Sequence, residues 1–204
     1  MPEKQNPILR DFPDSFETER LIIRAPRPGD GPALYEAVIG SLDHLRPWMP
    51  WAQHPPTLES SEQQVRLGAA RWAAREDLWL MLIRKADGRW IGGSGLHRMD
   101  WAVPRFEIGY WVRAEAQGKG YITEAVNGIT AFAFDVLGAE RVEIRCDAHN
   151  KRSAAVAERC GYRLEGRLRH EARAVSGELR DTLVYSLIRP EWLARQEAAD
   201  EHAS

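Results

Sequence analysis

RFEIGYWVRAEAQGKGYITEAVNGITAFAF, residues Arg105 to Phe134, changes its periodicity twice, and the changes set the fold. Phe106, Ile108, Tyr110 and Val112 alternate with Glu107, Gly109 and Trp111, the period-two pattern of a strand rich in aromatic and β-branched residues. Gln117-Gly118-Lys119-Gly120 then breaks all periodicity. Beyond it Ile122, Ala125, Val126, Ile129, Phe132, Ala133, Val136 and Leu137 recur at spacings of three and four, so a helix is expected, closed by Gly138. At the junction, glycines without Cβ admit close backbone approach, and the free N–H groups of a helix's first turn point outward. Such a junction suits an anion, phosphate above all. The spacing fits neither a Walker A loop nor the dinucleotide fingerprint. From these residues alone a plain turn remains the alternative.

Outward from this stretch, the chain reads as one domain of mixed α/β type. Leu21-Ile22-Ile23 forms a short strand, and Gly29-Asp30-Gly31 opens an amphipathic helix through Leu34, Tyr35, Val38 and Ile39. Thr57 caps a helix running to Arg75. Leu78 to Ile83, LWLMLI, is a strand buried on both faces, with a hairpin through Asp87-Gly88 to Trp90–Leu96. Arg141 to Cys146 alternates as a further strand, and strand, helix, strand makes it parallel to the strand at Phe106. Asn150 to Cys160 is a second helix ended by Gly161, and Tyr162–Leu168 with Leu179–Ile188 forms a closing hairpin. Residues 1–17 read as an N-terminal arm, 18–190 as the domain, and 191–204 as a polar tail.

A net charge of −2 offers no electrostatic footprint for nucleic acid. Two cysteines make no disulfide framework, and no His/Cys cluster has metal-ligand spacing. No apolar run approaches a membrane span, and the first residues lack the apolar core of a secretory signal, so a cytoplasmic enzyme, monomer or homodimer, is expected.

Several short runs in order, Thr18-Glu19-Arg20-Leu21, Glu107-Ile108-Gly109-Tyr110-Trp111, Gln117-Gly118-Lys119-Gly120-Tyr121, Thr123-Glu124-Ala125, Asn150-x-x-Ser153, Cys160-Gly161-Tyr162 and Glu165-Gly166, resemble the GCN5-related N-acetyltransferase (GNAT) superfamily, in its RimJ/RimL-like branch of ribosomal-protein N-acetyltransferases. The resemblance spans about residues 18–188. It implies a mostly antiparallel twisted sheet of six to seven strands with one splayed parallel pair, flanked by helices. It also implies acetyl-CoA as cosubstrate, without a metal, and a primary amine as acceptor. The acceptor is expected to be a protein N-terminus. A small amine, or a CoA-binding module without catalysis, stand as alternatives.

Residue by residue, the resemblance places Trp111, Val112, Gln117, Gly118, Lys119, Gly120, Tyr121, Ile122, Thr123, Asn150 and Ser153 against the cofactor. Ile122 replaces the family's small residue, and as first rung of the helical stripe it is expected to turn into the core. The tyrosine that protonates the leaving thiolate in many members is here Ala157, so Ser153 is expected to serve the thiolate. Glu107 is the expected base, acting through water, because its strand leads to the cofactor. Leu45 to Pro56 holds four prolines with Trp48, Met49 and Trp51, a stiff aromatic loop expected to wall the acceptor pocket together with His97. An α-amine, with a pKa of about 7.7 to 8.0, needs little help to become a neutral nucleophile near pH 7, whereas lysine, near 10.4, needs much more.

Overall fold

The computed structural model describes residues 6–203. Along the chain come β1 (Ser15–Glu17), β2 (Leu21–Arg24), α1 (Gly31–Ile39), α2 (Leu42–Leu45), α3 (Leu58–Ala74), β3 (Leu78–Arg84), β4 (Trp90–Asp100), β5 (Arg105–Val112), α4 (Tyr121–Ala131), β6 (Arg141–Asp147), α5 (Lys151–Arg159), β7 (Arg163–Arg173), β8 (Leu179–Ile188) and α6 (Arg189–Ala203). The strands form one sheet in the order β1-β2-β3-β4-β5-β6-β8-β7. Only β5 and β6 are parallel, and their pairing stops at Glu107 opposite Glu143. From Ile108 onward the two strands part, which opens the sheet at its centre.

The apolar run of β3 serves two cores, one on each face, as its continuity predicts. Leu78, Leu80 and Leu82 join the cluster under α4 and α5, while Met81, flanked by Trp79 and Ile83, packs with Leu34, Val38, Val65 and Trp90 under α1 and α3. Thr57 and Ser60 cap α3 reciprocally, each side chain accepting from the other's backbone N–H at 3.0 and 2.9 Å. On α4, Ala125, Val126 and Ile129 are fully buried and Ile122 packs against the same cluster, so its side chain does turn inward.

Three expectations are corrected. The sheet has eight strands rather than six or seven, because β1 pairs antiparallel with β2 inside the segment read as an arm. Within that segment Phe12 lies 6.1 Å from both Trp72 and Phe132, and Phe16 stacks on Phe132 at 4.7 Å. These rings are too few and too widely spaced to show periodicity, yet each covers core. Met1 to Gln5 of that arm lie outside the described residues. The C-terminal segment, read as a polar tail, is helical, and Trp192 in it stacks on Phe134 at 5.5 Å while donating to Asp135 Oδ1 at 2.7 Å. Finally, the stripe fails at Val136, which is 48% exposed while Phe134 is buried. Residues Phe132–Val136 form a π turn, whose extra residue rotates everything after it away from the 3.6-residue register.

Candidate active site

A cavity of about 2040 Å³ runs through the opened centre of the sheet. A site for one small ligand usually spans about 300 to 1,000 Å³, so this one has room for two substrates. Gly118 and Gly120 adopt φ of +70° and +81°, the left-handed region that favours glycine. Between them they turn the chain so that α4 begins at the cavity wall, its first N–H groups without intrahelical partners. Of the run Gln117 to Thr123, all but Lys119 line the cavity, as do Trp111 and Val112 just before it. The backbone geometry fits the phosphate-binding role that the turn alone left open.

The loop is held from a distant part of the sequence. Glu124 accepts from Thr18 Oγ1 at 2.6 Å, from the Arg20 N–H at 2.7 Å and from Arg20 Nε at 2.6 Å. Arg20 Nη1 then donates to the Lys119 carbonyl at 3.0 Å, and its guanidinium lies 4.6 Å from the Tyr121 ring centre. Burial alone would raise the Glu124 pKa, but the hydrogen bonds from Thr18 and Arg20 outweigh it and hold the carboxyl below the usual range. The runs Thr18-Glu19-Arg20 and Thr123-Glu124 are thus two halves of one clamp. Across the cavity mouth, Arg152 Nη1 donates to Gln117 Oε1 at 2.7 Å.

Asn150 caps α5, its Oδ1 accepting from the Ser153 N–H at 3.1 Å, and both residues line the cavity. Ser153 Oγ lies 3.0 Å from the Tyr110 hydroxyl, which also donates to the Ser153 carbonyl at 3.0 Å. Burial pushes the Tyr110 pKa up, so this phenol holds its proton and orients its neighbour. Sequence reasoning missed Tyr110, because in β5 it falls on the same face as the core residues Phe106 and Ile108. Its signal was position alone, one step before Trp111. Cys146 is buried at the same place, its thiol pushed up by burial in spite of a hydrogen bond from Ser153. Ala157 is fully buried.

The cavity also gathers the residues expected on the acceptor side. Trp48 and Trp51 line the cavity and are 38% and 51% exposed, large apolar surfaces left open. A short 3₁₀ turn at Pro50–Ala52 carries Trp51 to Trp111, edge to face at 5.7 Å, and Trp111 meets the buried Trp90 at 6.2 Å. His97 lines the same wall, its Nδ1 2.6 Å from Asp77 Oδ2. Glu107 pairs in register with His97, but its carboxylate turns to Arg98 at 3.4 Å with 19% of the side chain exposed, and it is not among the cavity-lining residues. Burial raises its pKa above the usual carboxylate range. Among the described residues no group of three or more His, Cys, Asp or Glu is placed to hold a metal, and no helix is long and apolar enough to cross a membrane.

Comparison with known proteins agrees with this geometry. The family model of the acetyltransferase (GNAT) domain matches residues 20–163. YdaF of Bacillus subtilis (strain 168), provisionally named a ribosomal N-acetyltransferase, is 33% identical over 175 residues, covering 85% of this chain and 94% of its own. The ribosomal-protein-serine acetyltransferase of Escherichia coli (strain K12) is 26% identical over 171 residues, covering 84% and 94%. Among solved structures, the microcin C7 self immunity acetyltransferase MccE in complex with acetyl-CoA and AMP superposes with a TM-score of 0.80 at 26% identity, covering 87% of this chain and 97% of that one. The chain belongs to the GNAT acetyltransferase family, with an N-acetyltransferase's fold and acetyl-CoA as its acetyl donor.

Proposed function

We propose that this enzyme acetylates the α-amine of a protein N-terminus by direct attack within a ternary complex. The observation that carries the reading is the parting of β5 from β6 after Glu107, which joins the two faces of the sheet through one opening. On one face lies the glycine turn at the start of α4, and on the other the wall of Trp48, Trp51 and His97. Acetyl-CoA supplies the thioester. The turn at Gly118 and Gly120 holds its phosphates, and Trp111, Val112, Tyr121, Ile122, Thr123 and Asn150 flank its path. Ser153, oriented by Tyr110, gives a proton to the sulfur. Lys119 contributes its carbonyl to the Arg20 clamp and its charge to the phosphate field.

Two E. coli relatives are named for acetylating ribosomal proteins, at serine and at alanine, which favours a protein acceptor. The charges of the acceptor wall agree. Arg71, Arg145, Arg173 and Arg180 line the cavity, and of its carboxylates Asp77 is engaged with His97, Glu124 with Thr18 and Arg20, and Asp147 with Arg180, so a polycationic acceptor would find few free partners. A second reading is a small amine carrying a flat, anionic group. The open indole faces of Trp48 and Trp51 favour it, as does the AMP bound in the microcin immunity enzyme. Thiol release, measured over N-terminal peptides, lysine peptides and small amines with product masses confirmed, separates the two. Turnover confined to lysine side chains would reject both.

A further inference from the structure

Two groups on the acceptor face of the sheet are able to take the amine's proton, Glu107 and His97, and they stand opposite each other on β5 and β4. Their surroundings differ. Glu107 faces Arg98 and is not among the cavity-lining residues, whereas His97 lines the cavity. The imidazole lies over Gly95 and Gly109, which pair in register beneath it. A Cβ built on Gly109 would come within 3.1 Å of His97 Cδ2 and 3.4 Å of Nε2, and one on Gly95 within 3.0 Å of Cε1. The ring therefore needs that bare floor. Asp77 Oδ2 fixes its other edge at 2.6 Å from Nδ1. An ionised carboxylate only accepts hydrogen bonds, so Nδ1 carries the hydrogen and Nε2 presents its lone pair above Gly109. The next residue, Tyr110, reaches Ser153 on the opposite face, and at this level β5 has already parted from β6.

We propose that His97 is the general base of the acetyl transfer, held by Asp77, a positioning residue, in the tautomer whose Nε2 faces the acceptor. The inference rests on the acetyl-transfer reading above. The acceptor ammonium gives one proton to Nε2, and the neutral nitrogen forms the C–N bond to the acetyl carbon. As the C–S bond breaks, its electron pair stays on sulfur. The nitrogen loses a second proton to solvent, while the sulfur gains one from Ser153, which solvent replenishes. His97 returns its proton to water through the cavity, so the balance is one amide, one thiol and one released proton. Asp77, Glu107, Arg98, Arg145 and Glu143 are charged groups around the imidazole and its register partner.

The test is chemical rescue of His97→Ala. General-base catalysis contributes about 10²- to 10⁴-fold, and an α-amine that is partly neutral already places the expected fall in kcat near the low end, about 10²-fold. Added imidazole should restore part of that fall, with the KM for acetyl-CoA unchanged. Asp77→Ala should lower kcat less and answer weakly to imidazole. Independently of turnover, nitrogen NMR of the free wild type should show the Nδ1–H tautomer at His97, and Asp77→Ala should lose it. A His97→Ala kcat within about threefold of wild type, far below a base's contribution, would overturn the proposal. So would a fall that imidazole leaves untouched while Glu107→Gln causes as large a one. Should His97→Ala fail to fold, His97→Gln takes its place, read by kcat and by the wild-type tautomer. Absence of thiol release by the wild type with every amine would remove the functional reading itself, a result distinct from a working enzyme indifferent to His97.

Discussion

The proposed phosphate turn is one continuous run, Gln117 to Thr123, which lines the cavity at every position but Lys119, whereas the proposed acceptor wall collects Trp48 and Trp51, Asp77, His97, Gly109 and Arg173 from segments far apart in the chain. The first owes its shape to local conformation: two positive-φ glycines and a helix start. The second exists only because β3, β4 and β5 lie side by side and the Pro50–Ala52 turn folds over them. Damage to the first should therefore be severe and confined to one ligand, while damage to the second should be graded and shared among residues.

The largest expected effect is at Gly120. Gly120→Glu places a side chain on a residue at φ +81°, costing on the order of 1–2 kcal/mol in strain, and sets a carboxylate where phosphate is proposed to dock. Calorimetry should show CoA binding lost while circular dichroism stays native. Retained affinity would break the idea that the local turn is the anion site. Next is Ser153→Ala, expected to lower kcat by up to about 10²-fold with the KM for acetyl-CoA little changed. If Ser153 only supports the start of α5, thermal unfolding will instead show a loss of about 1 kcal/mol with kcat preserved.

Glu124→Gln sharpens the comparison, because the clamp to Thr18 and Arg20 holds the turn from a distant part of the chain. Replacing a largely buried carboxylate that accepts three hydrogen bonds should cost about 1–3 kcal/mol, seen in the unfolding midpoint. The sign with pH follows from the depressed pKa of Glu124. Its contribution is fully present above the unfolded value, about 4.3, and is lost as pH falls through the lower folded value. The variant should therefore show less acid-induced destabilisation than wild type; equal acid sensitivity would show that the clamp does not couple to protonation. The smallest effect is expected at Trp51→Ala. Its edge-to-face contact with Trp111 and its open face are worth about 0.5–1.5 kcal/mol, a several-fold rise in acceptor KM with that for acetyl-CoA unchanged. Equal rises for both substrates would erase the distinction between the walls.

Much of the site was legible in the chain because its chemistry is written in neighbours. The turn at Gly118 and Gly120, the Asn150 cap with Ser153 in the first turn of α5, and the two-sided burial of LWLMLI all follow from local pattern. Tyr110 was not legible as more than a core residue, since nothing along β5 shows that its hydroxyl meets Ser153. Asp77 was not legible at all, lying just ahead of β3 with no pattern of its own. Val136 misled for a related reason: a helical stripe assumes constant pitch, and the π turn breaks it.

By itself the sequence determined the strand, turn and helix of the proposed anion site, the order of the other elements, and the family whose short runs it carries. These rest on backbone preferences and periodicities that act over a few residues. Only the tertiary structure decided that Glu124 joins Thr18 and Arg20 into one clamp, that β1 and α6 belong to the body of the fold, and that His97 lies on glycines from two strands beside Asp77. Those arrangements depend on strand order and register, which bring residues together through space and leave no periodic trace in the chain.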